Sequence, residues 1–362
     1  MLQKYIIKCK CGNYMVLEIE TPVKMRILCG NCNTILLDQL SLQTNPPSAQ
    51  TSTNETVKRA TNRYQNPYPP IEEAKAADDE SEKQNKIDQY ILVKQLGSGA
   101  MGKVFLAVDE KTKEEVALKF LNKNSDNLML DYFIRETQIL MSLNHPNIIN
   151  LKSWGNYNGS PYIAMEYVSG DTLEKLMQKG AVAPKYAIQI ILQVLNALSY
   201  VSRYHIIHRD IKPSNIILGT NKIVKVIDFG IGKALEDQQE LTKPGQMIGT
   251  AYYMPPEQLQ EAKNADYRAD VYSVGATLFH ALCGHAPFEE HGKNMLKILM
   301  AKQNNQYIPL GQMHPHLPKE IVYVVEKAMS HNPENRYSNA EEMKNSLSDV
   351  YKNFYPGADF SL

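Results

Sequence analysis

From residue 90 the chain falls into short apolar runs: Tyr90–Leu96, Lys103–Val108 and Glu115–Phe120. Runs of this length, rich in β-branched and aromatic residues, predict strands. A stripe follows at Met129, Phe133, Glu136 and Leu140, spaced by four, three and four, which predicts a helix with one buried face. Two more strand-like runs come next, Ile148–Trp154 and Tyr162–Tyr167, and beyond Ser169-Gly170 the pattern is mostly helical. The most apolar stretches there, Ala187–Val201 and Val271–Cys283, carry Gln, Asn, Ser and His. Neither holds the roughly 18 uninterrupted apolar residues of a membrane span, so both are expected as buried helices. A β-rich part followed by a helical part predicts an α+β fold with a cleft at the junction.

The residues before 90 read differently. Residues 1–40 hold short β-type runs and four of the five cysteines. Residues 41–88 are rich in Ser, Thr, Asn, Gln and Pro, then in Glu, Asp and Lys, with Asn45-Pro46-Pro47-Ser48 and Asn66-Pro67-Tyr68-Pro69-Pro70 breaking any regular element. Such a segment buries too little apolar surface to offset chain ordering and is expected to be a flexible linker. The expected organisation is a small unit over 1–40, a linker over 41–88, a large domain over 89–350 and a tail over 351–362.

Composition narrows the function classes. Of 362 residues, 39 are Lys or Arg and 39 Asp or Glu, so the formal net charge is zero. That balance argues against a general nucleic-acid or membrane-surface binder. The N-terminus lacks the apolar run of a signal peptide, which together with the missing membrane span predicts a cytoplasmic protein. In a reducing compartment clustered cysteines are metal ligands more often than disulfides. Cys9-x-Cys11 and Cys29-x-x-Cys32 form two close pairs with Gly12 and Gly30 to relieve the turns, a pattern suited to tetrahedral Zn²⁺. A unit of about 40 residues has little core, so a structural metal there makes physical sense. Free or redox-active thiols are the alternative. Cys283, on an apolar helical stretch, reads as a small buried side chain.

Four motifs carry candidate chemistry. Gly97-Ser98-Gly99-Ala100-Met101-Gly102 precedes Val104. Its glycines let backbone N–H groups approach phosphate oxygens with no Cβ in the way. A G-x-G-x-x-G also opens dinucleotide-binding folds, but there it joins a strand to a helix, whereas Lys103–Val108 continues here as a strand. Lys119 closes the apolar run Val116-Ala117-Leu118, a costly place for an ammonium unless it meets negative charge. Glu136 is the matching anomaly, an acid on the apolar stripe of the next helix. His208-Arg209-Asp210-Ile211-Lys212-Pro213-Ser214-Asn215 and, beyond the strand Ile223–Ile227, Asp228-Phe229-Gly230 complete the set.

At these residues the chain resembles the eukaryotic-type Ser/Thr protein kinases. Asp210 and Asn215 stand in the H-R-D-x-x-x-x-N pattern residue for residue, and Asp228-Phe229-Gly230 matches the metal-binding D-F-G. The resemblance covers the region from Tyr90 to Val350 and implies a bilobal kinase fold, a β-rich lobe ahead of a helical one. Separately, the cysteine pairs of residues 1–40 resemble a small zinc ribbon, with the first pair one residue shorter than the usual C-x-x-C, so a zinc-ribbon-like unit is expected ahead of the kinase fold. The stretch Gly99–Phe105 looks most like bacterial members. The resemblance implies that Lys119 holds the α- and β-phosphates of ATP and that Glu136 orients it. It implies that Asp228 and Asn215 each ligate one of two Mg²⁺ ions, that Asp210 accepts the proton of the acceptor hydroxyl, and that Lys212 neutralises charge on the γ-phosphate. A lysine at 212 resembles the Ser/Thr-specific members, so protein Ser/Thr hydroxyls are the expected substrates. Leu96, Gly97, Ser98, Gly99, Gly102, Val104, Ala117, Glu166, Val168 and Ile217 are the positions implied to surround the nucleotide, with Met165 as gatekeeper. Thr250 is implied to contact Asp210 and Lys212, Asp270 to brace the catalytic loop, and Arg336 to pair with Glu257. Arg209 is implied to receive a phosphate on the activation loop. Thr242 is the one Ser/Thr hydroxyl between Ile231 and Gly249 and is the expected site of that phosphate if the loop is switched by phosphorylation, with a plain solvated loop residue as the alternative.

One departure stands out: the A-P-E segment of the family reads Pro255-Pro256-Glu257 here, which stiffens the backbone before a helix. Two rival readings remain. A pseudokinase or nucleotide-binding scaffold would lack Lys119, Asp210, Asn215 or Asp228, and all four are present. A small-molecule kinase would lose the substrate platform, whereas Gly249-Thr250 and Pro256-Glu257 remain. The cysteine-bearing unit is expected to bind a partner.

Overall fold

A computed structural model describes residues 2–8, 14–20, 27–28, 35–37, 86–99, 102–121, 137, 140–229, 248–260, 265–292 and 294–358. Cys9, Cys11, Cys29, Cys32, Glu136 and Thr242, and nearly all of the expected linker, lie outside those residues. The chain divides into two units, Met1–Asp78 and Asp79–Leu362. In the first, β1 (Leu2–Lys8) pairs antiparallel with β2 (Tyr14–Glu20), and β3 (Ile27–Leu28) with β4 (Ile35–Leu37).

The second unit begins with a six-stranded antiparallel sheet. Its strands are β5 (Lys86–Ile87), β6 (Tyr90–Gly99), β7 (Gly102–Asp109), β8 (Glu115–Leu121), β9 (Leu151–Tyr157) and β10 (Ser160–Glu166), in the order β5-β6-β7-β8-β10-β9. The period of two sorts the side chains of this sheet. Val116, Leu118, Tyr162 and Ala164 join a small outer core with Ile87, Tyr90 and Ala107. Ala117, Ile163 and Met165 face the other way, into the main core shared with the helices. Parity therefore puts Lys119 on the face of Ala117, toward that junction. Gly155 is dictated by the outer core, because a Cβ there would lie 2.5 Å from the Tyr162 hydroxyl.

The expected strand over Ile148–Trp154 is displaced to Leu151–Tyr157. Residues 147–150 are used otherwise: Ile149 N–H donates to Val226 O (3.0 Å), Val226 N–H to Asn147 O (2.9 Å) and Glu166 N–H to Asn150 O (2.9 Å). Backbone groups spent on tying the sheet to the helical half are not free for a strand ladder.

The helical half opens with β11 (Gly170–Thr172) and α1 (Leu173–Met177), capped by the Thr172 hydroxyl. Then follow α2 (Pro184–Ser202), β12 (Ile216–Gly219), β13 (Val224–Val226), α3 (Ile248–Ala251), α4 (Pro256–Gln260) and α5 (Tyr267–Cys283). The last four helices are α6 (Met295–Gln303), α7 (Leu310–Met313), α8 (Lys319–Ala328) and α9 (Ala340–Phe354). α5 is buried along nearly its whole length, starts at an Asp266 cap and ends at Gly284 with φ 82°. Such a left-handed terminus favours glycine. α2, α8 and α9 pack around it. α9 runs four residues past Val350, with Val350 and Tyr351 buried, so the helical half extends into the expected tail. No described helix is long and apolar enough to cross a membrane.

Candidate active site

The glycine-rich segment is a hairpin between β6 and β7, as its sequence context predicts: Gly97 lies opposite Val104, Ser98 opposite Lys103 and Gly99 opposite Gly102. Leu96, Gly97 and Ser98 are exposed on it. Gly102 is required by the fold itself. Its φ is +141°, and a Cβ would sit 1.7 Å from the Phe120 carbonyl oxygen. Gly97 is different: a Cβ there meets nothing within 4 Å.

β8 carries Ala117 and Lys119, with Val104 of β7 and Ile163 of β10 directly beside Lys119. The Lys119 ammonium lies 2.6 Å from Asp228 Oδ1, its side chain 14% exposed against 32% for Asp228. Among the described residues this is the salt bridge Lys119 makes. Its implied partner Glu136 is outside them.

The segment after α2 is locked by a buried carboxylate. Asp270, near the start of α5, accepts the N–H groups of His208 and Arg209, each at 2.8 Å. Full burial pushes the Asp270 carboxyl up to about 6, although the two N–H donors pull it down. Arg209 itself sits at φ 63° and Asp228 at φ 54°, positions that L-residues with side chains seldom adopt. Two hydrogen bonds, one between main-chain groups and one from a side chain, stitch this loop to Ile227, the residue before Asp228. Ile227 N–H donates to Asn215 O (3.0 Å), and His208 Nε2 lies 3.0 Å from Ile227 O. The rings of His208 and Phe229 are 4.5 Å apart.

Asp210, Lys212, Asn215 and Thr250 form one cluster. The Asn215 amide donates to Asp210 Oδ2 (3.0 Å) and to the Asp210 carbonyl (2.8 Å). Lys212 Nζ is 3.1 Å from Asp210 Oδ2 and donates to the Thr250 hydroxyl at 2.8 Å. The Pro255-Pro256-Glu257 segment is anchored further on, where both guanidinium ends of Arg336 meet the Glu257 carboxylate at 2.6 and 2.8 Å. Toward the sheet, Glu166 ends β10, Val168 is half-buried beyond it, and Ile217 lies on β12 opposite Thr172.

Residues 90–348 match the protein kinase domain. This chain belongs to that family. Serine/threonine-protein kinase PknB of Mycolicibacterium smegmatis is 38% identical over 283 residues, covering 76% of this chain and 45% of the relative. Probable serine/threonine-protein kinase PknB of Lactococcus lactis is 35% identical over 260 residues, with 71% and 41% covered. The kinase thus spans under half the length of these curated relatives. Among solved structures, the Mycobacterium tuberculosis PknI kinase domain aligns with TM-score 0.58 at 26% identity, covering 74% of this chain and 98% of that one. Rad53 1-466 in complex with AMP-PNP aligns with TM-score 0.61 at 27% identity, covering 73% and 67%.

Two residues of the kinase site are not among those singled out from the sequence. Lys225, on β13, donates to Glu166 Oε1 (2.6 Å) and to the Ile148 carbonyl (3.1 Å). The same Glu166 oxygen accepts the Asn150 N–H at 2.8 Å. A lysine inside the short apolar run Val224–Ile227 was the available signal, the same anomaly that marks Lys119. Gln258 donates to the Arg209 carbonyl at 3.2 Å, and nothing in its sequence context distinguishes it from a surface glutamine.

Proposed function

We propose that this kinase transfers the γ-phosphoryl group of ATP to Ser/Thr hydroxyls of protein substrates. The observation that carries the reading is the pairing of Lys119 with Asp228 beside the Asp210–Asn215–Lys212–Thr250 cluster, the two tied by the Ile227 N–H donating to the Asn215 carbonyl. The acceptor oxygen attacks the γ-phosphorus, its proton passes to the Asp210 carboxylate, and ADP leaves. Lys212 and Asn215, both within 3.1 Å of Asp210 Oδ2, fix the orientation of that carboxylate. Lys119 holds the α- and β-phosphates. Asp228 and the amide oxygen of Asn215 are hard oxygen donors of the kind Mg²⁺ selects. When bound there, Mg²⁺ neutralises phosphate charge. Gly97 faces open space, so its glycine serves close phosphate approach rather than packing. Lysine at 212 and the names of the curated relatives support Ser/Thr as the acceptor class. Labelled-ATP transfer to the kinase itself and to a generic acceptor protein tests this. Asp210→Asn and Lys119→Ala should each reduce transfer at least a thousandfold with the fold intact. Near-wild-type transfer by either refutes the assignment.

The regulatory reading is Thr242, with Arg209 as receiver of its phosphate. Phosphate found on Thr242 of active enzyme, and lost activity in Thr242→Ala, would support it. Full activity of that variant would remove it. The zinc reading for Cys9, Cys11, Cys29 and Cys32 gains support from strand positions. The first pair falls in the connection between β1 and β2, whose register closes at Lys8 opposite Tyr14, and the second between Leu28 and Ile35. Elemental analysis finding one Zn²⁺ per chain, lost in Cys29→Ser, is the expected result. No stoichiometric zinc would refute it.

A further inference from the structure

Lys302 is the most buried lysine described, with 0% exposure. On α6 it shares the buried face with Ile298 and Ala301. Burying an ammonium is unfavourable unless it finds partners. Lys302 Nζ donates to the Tyr252 carbonyl (2.9 Å) and to the Tyr272 hydroxyl (3.3 Å). It also stands 4.3 Å from the Phe288 ring centroid and 5.0 Å from that of Tyr272, within reach of cation–π attraction. Desolvation drives its pKa well below that of an ordinary lysine, Arg336 adds to this, and Glu257 opposes it.

What this costly arrangement holds is a short stretch of main chain. Tyr252 lies two residues past Thr250, whose hydroxyl meets Lys212 beside Asp210, and five before Glu257, which Arg336 grips. The N–H groups of Tyr253 and Met254 both turn back to the Thr250 carbonyl, at 3.0 and 3.3 Å. Next come Pro255 and Pro256, which have no N–H to donate. A segment short of donors is tied down through its acceptors. Lys302 supplies that tie at Tyr252, between the two side-chain anchors.

We propose that Lys302 is a positioning residue for protein-substrate recognition, pinning the platform backbone at the Tyr252 carbonyl from beneath. The proposal rests on the reading of residues 249–257 as the surface that receives the acceptor chain. Lys302→Met keeps the length and volume and removes the donor. With myelin basic protein as acceptor, its KM should rise about tenfold, the effect of one lost buried hydrogen bond. The KM for ATP, the rate of ATP hydrolysis without acceptor, and the thermal midpoint should stay within twofold or a few degrees of wild type. Tyr272→Phe removes the second acceptor but leaves the carbonyl tie, and should leave the acceptor KM unchanged. An unchanged acceptor KM in a folded Lys302→Met protein overturns the proposal. So does an unfolded one, which would make the lysine a support of the whole lobe, and so does an equal effect in Tyr272→Phe. Transfer by wild-type enzyme to the acceptor is the separate control for the kinase reading itself.

Discussion

Replacing Arg336 by Met removes a guanidinium whose side chain is 0% exposed. In the folded kinase its Nε donates to the Ser330 carbonyl (2.7 Å). Nη1 reaches Glu257 and the Arg268 carbonyl (2.6 and 3.1 Å), and Nη2 reaches Glu257 and the His331 carbonyl (2.8 and 3.0 Å). Arg336→Met therefore strands one carboxylate and three carbonyls at once. Breaking a buried pair by removing one partner costs roughly 3–5 kcal/mol. The Glu257 side chain, 22% exposed, keeps some water, which favours the lower half of that range. For a domain of this size each kcal/mol shifts the melting midpoint by about 2–4 °C, so a fall of roughly 6–16 °C is expected. Glu257→Gln keeps shape and one acceptor, and should cost about 1–2 kcal/mol. Urea denaturation of both single variants and the double variant closes a cycle, with an expected coupling of at least about 1 kcal/mol. A loss below about 1 kcal/mol in Arg336→Met, or strict additivity, would refute the idea that this fork holds the platform to the helical half.

Gly97→Ala should leave stability unchanged and weaken ATP binding severalfold, whereas Gly102→Ala, with its Cβ driven onto the Phe120 carbonyl, should lower the melting midpoint; the opposite pattern would invert their roles. Lys225→Met frees the Glu166 carboxylate behind the sheet–helix connection, so the KM for ATP should rise about tenfold with the KM for protein acceptor unchanged, as read by steady-state kinetics. Asp270, ordinarily 3.8 and raised to about 6 by burial, binds its proton more tightly folded than unfolded, so its stabilisation is full below about pH 4 and is lost as pH rises through 6. Asp270→Asn should erase that dependence, worth roughly 3 kcal/mol. His280, lowered by burial to about 4, works in the opposite direction over the same window, so the difference between wild-type and Asp270→Asn unfolding curves carries the test.

Much of the site was legible because its chemistry forces misplaced residues. Lys119 is an ammonium closing an apolar strand, and Asp210, Asn215 and Asp228 stand at fixed spacing around a short hairpin. Local rules cover those cases: glycines at a hairpin, parity on a strand, a motif within eight residues. The sequence alone thus determined the order of lobes, the strands from Tyr90 to Phe120 and the residues that converge. Only the tertiary structure decided which partner each charge takes. The Lys119 contact to Asp228 spans 109 residues and the Arg336 fork to Glu257 spans 79. Ile148–Asn150 look like the start of a strand, yet the backbone bonds of Ile149 and Asn150 go to Val226 and Glu166 across the junction. Lys302 sits on a helix where a lysine ordinarily snorkels to water, and its burial follows from Phe288, Tyr272 and Tyr252 closing over it from other elements. Periodicity reports which face of an element is apolar. It carries no information about which distant backbone carbonyl that face will meet, because that choice is made by packing between elements far apart in the chain.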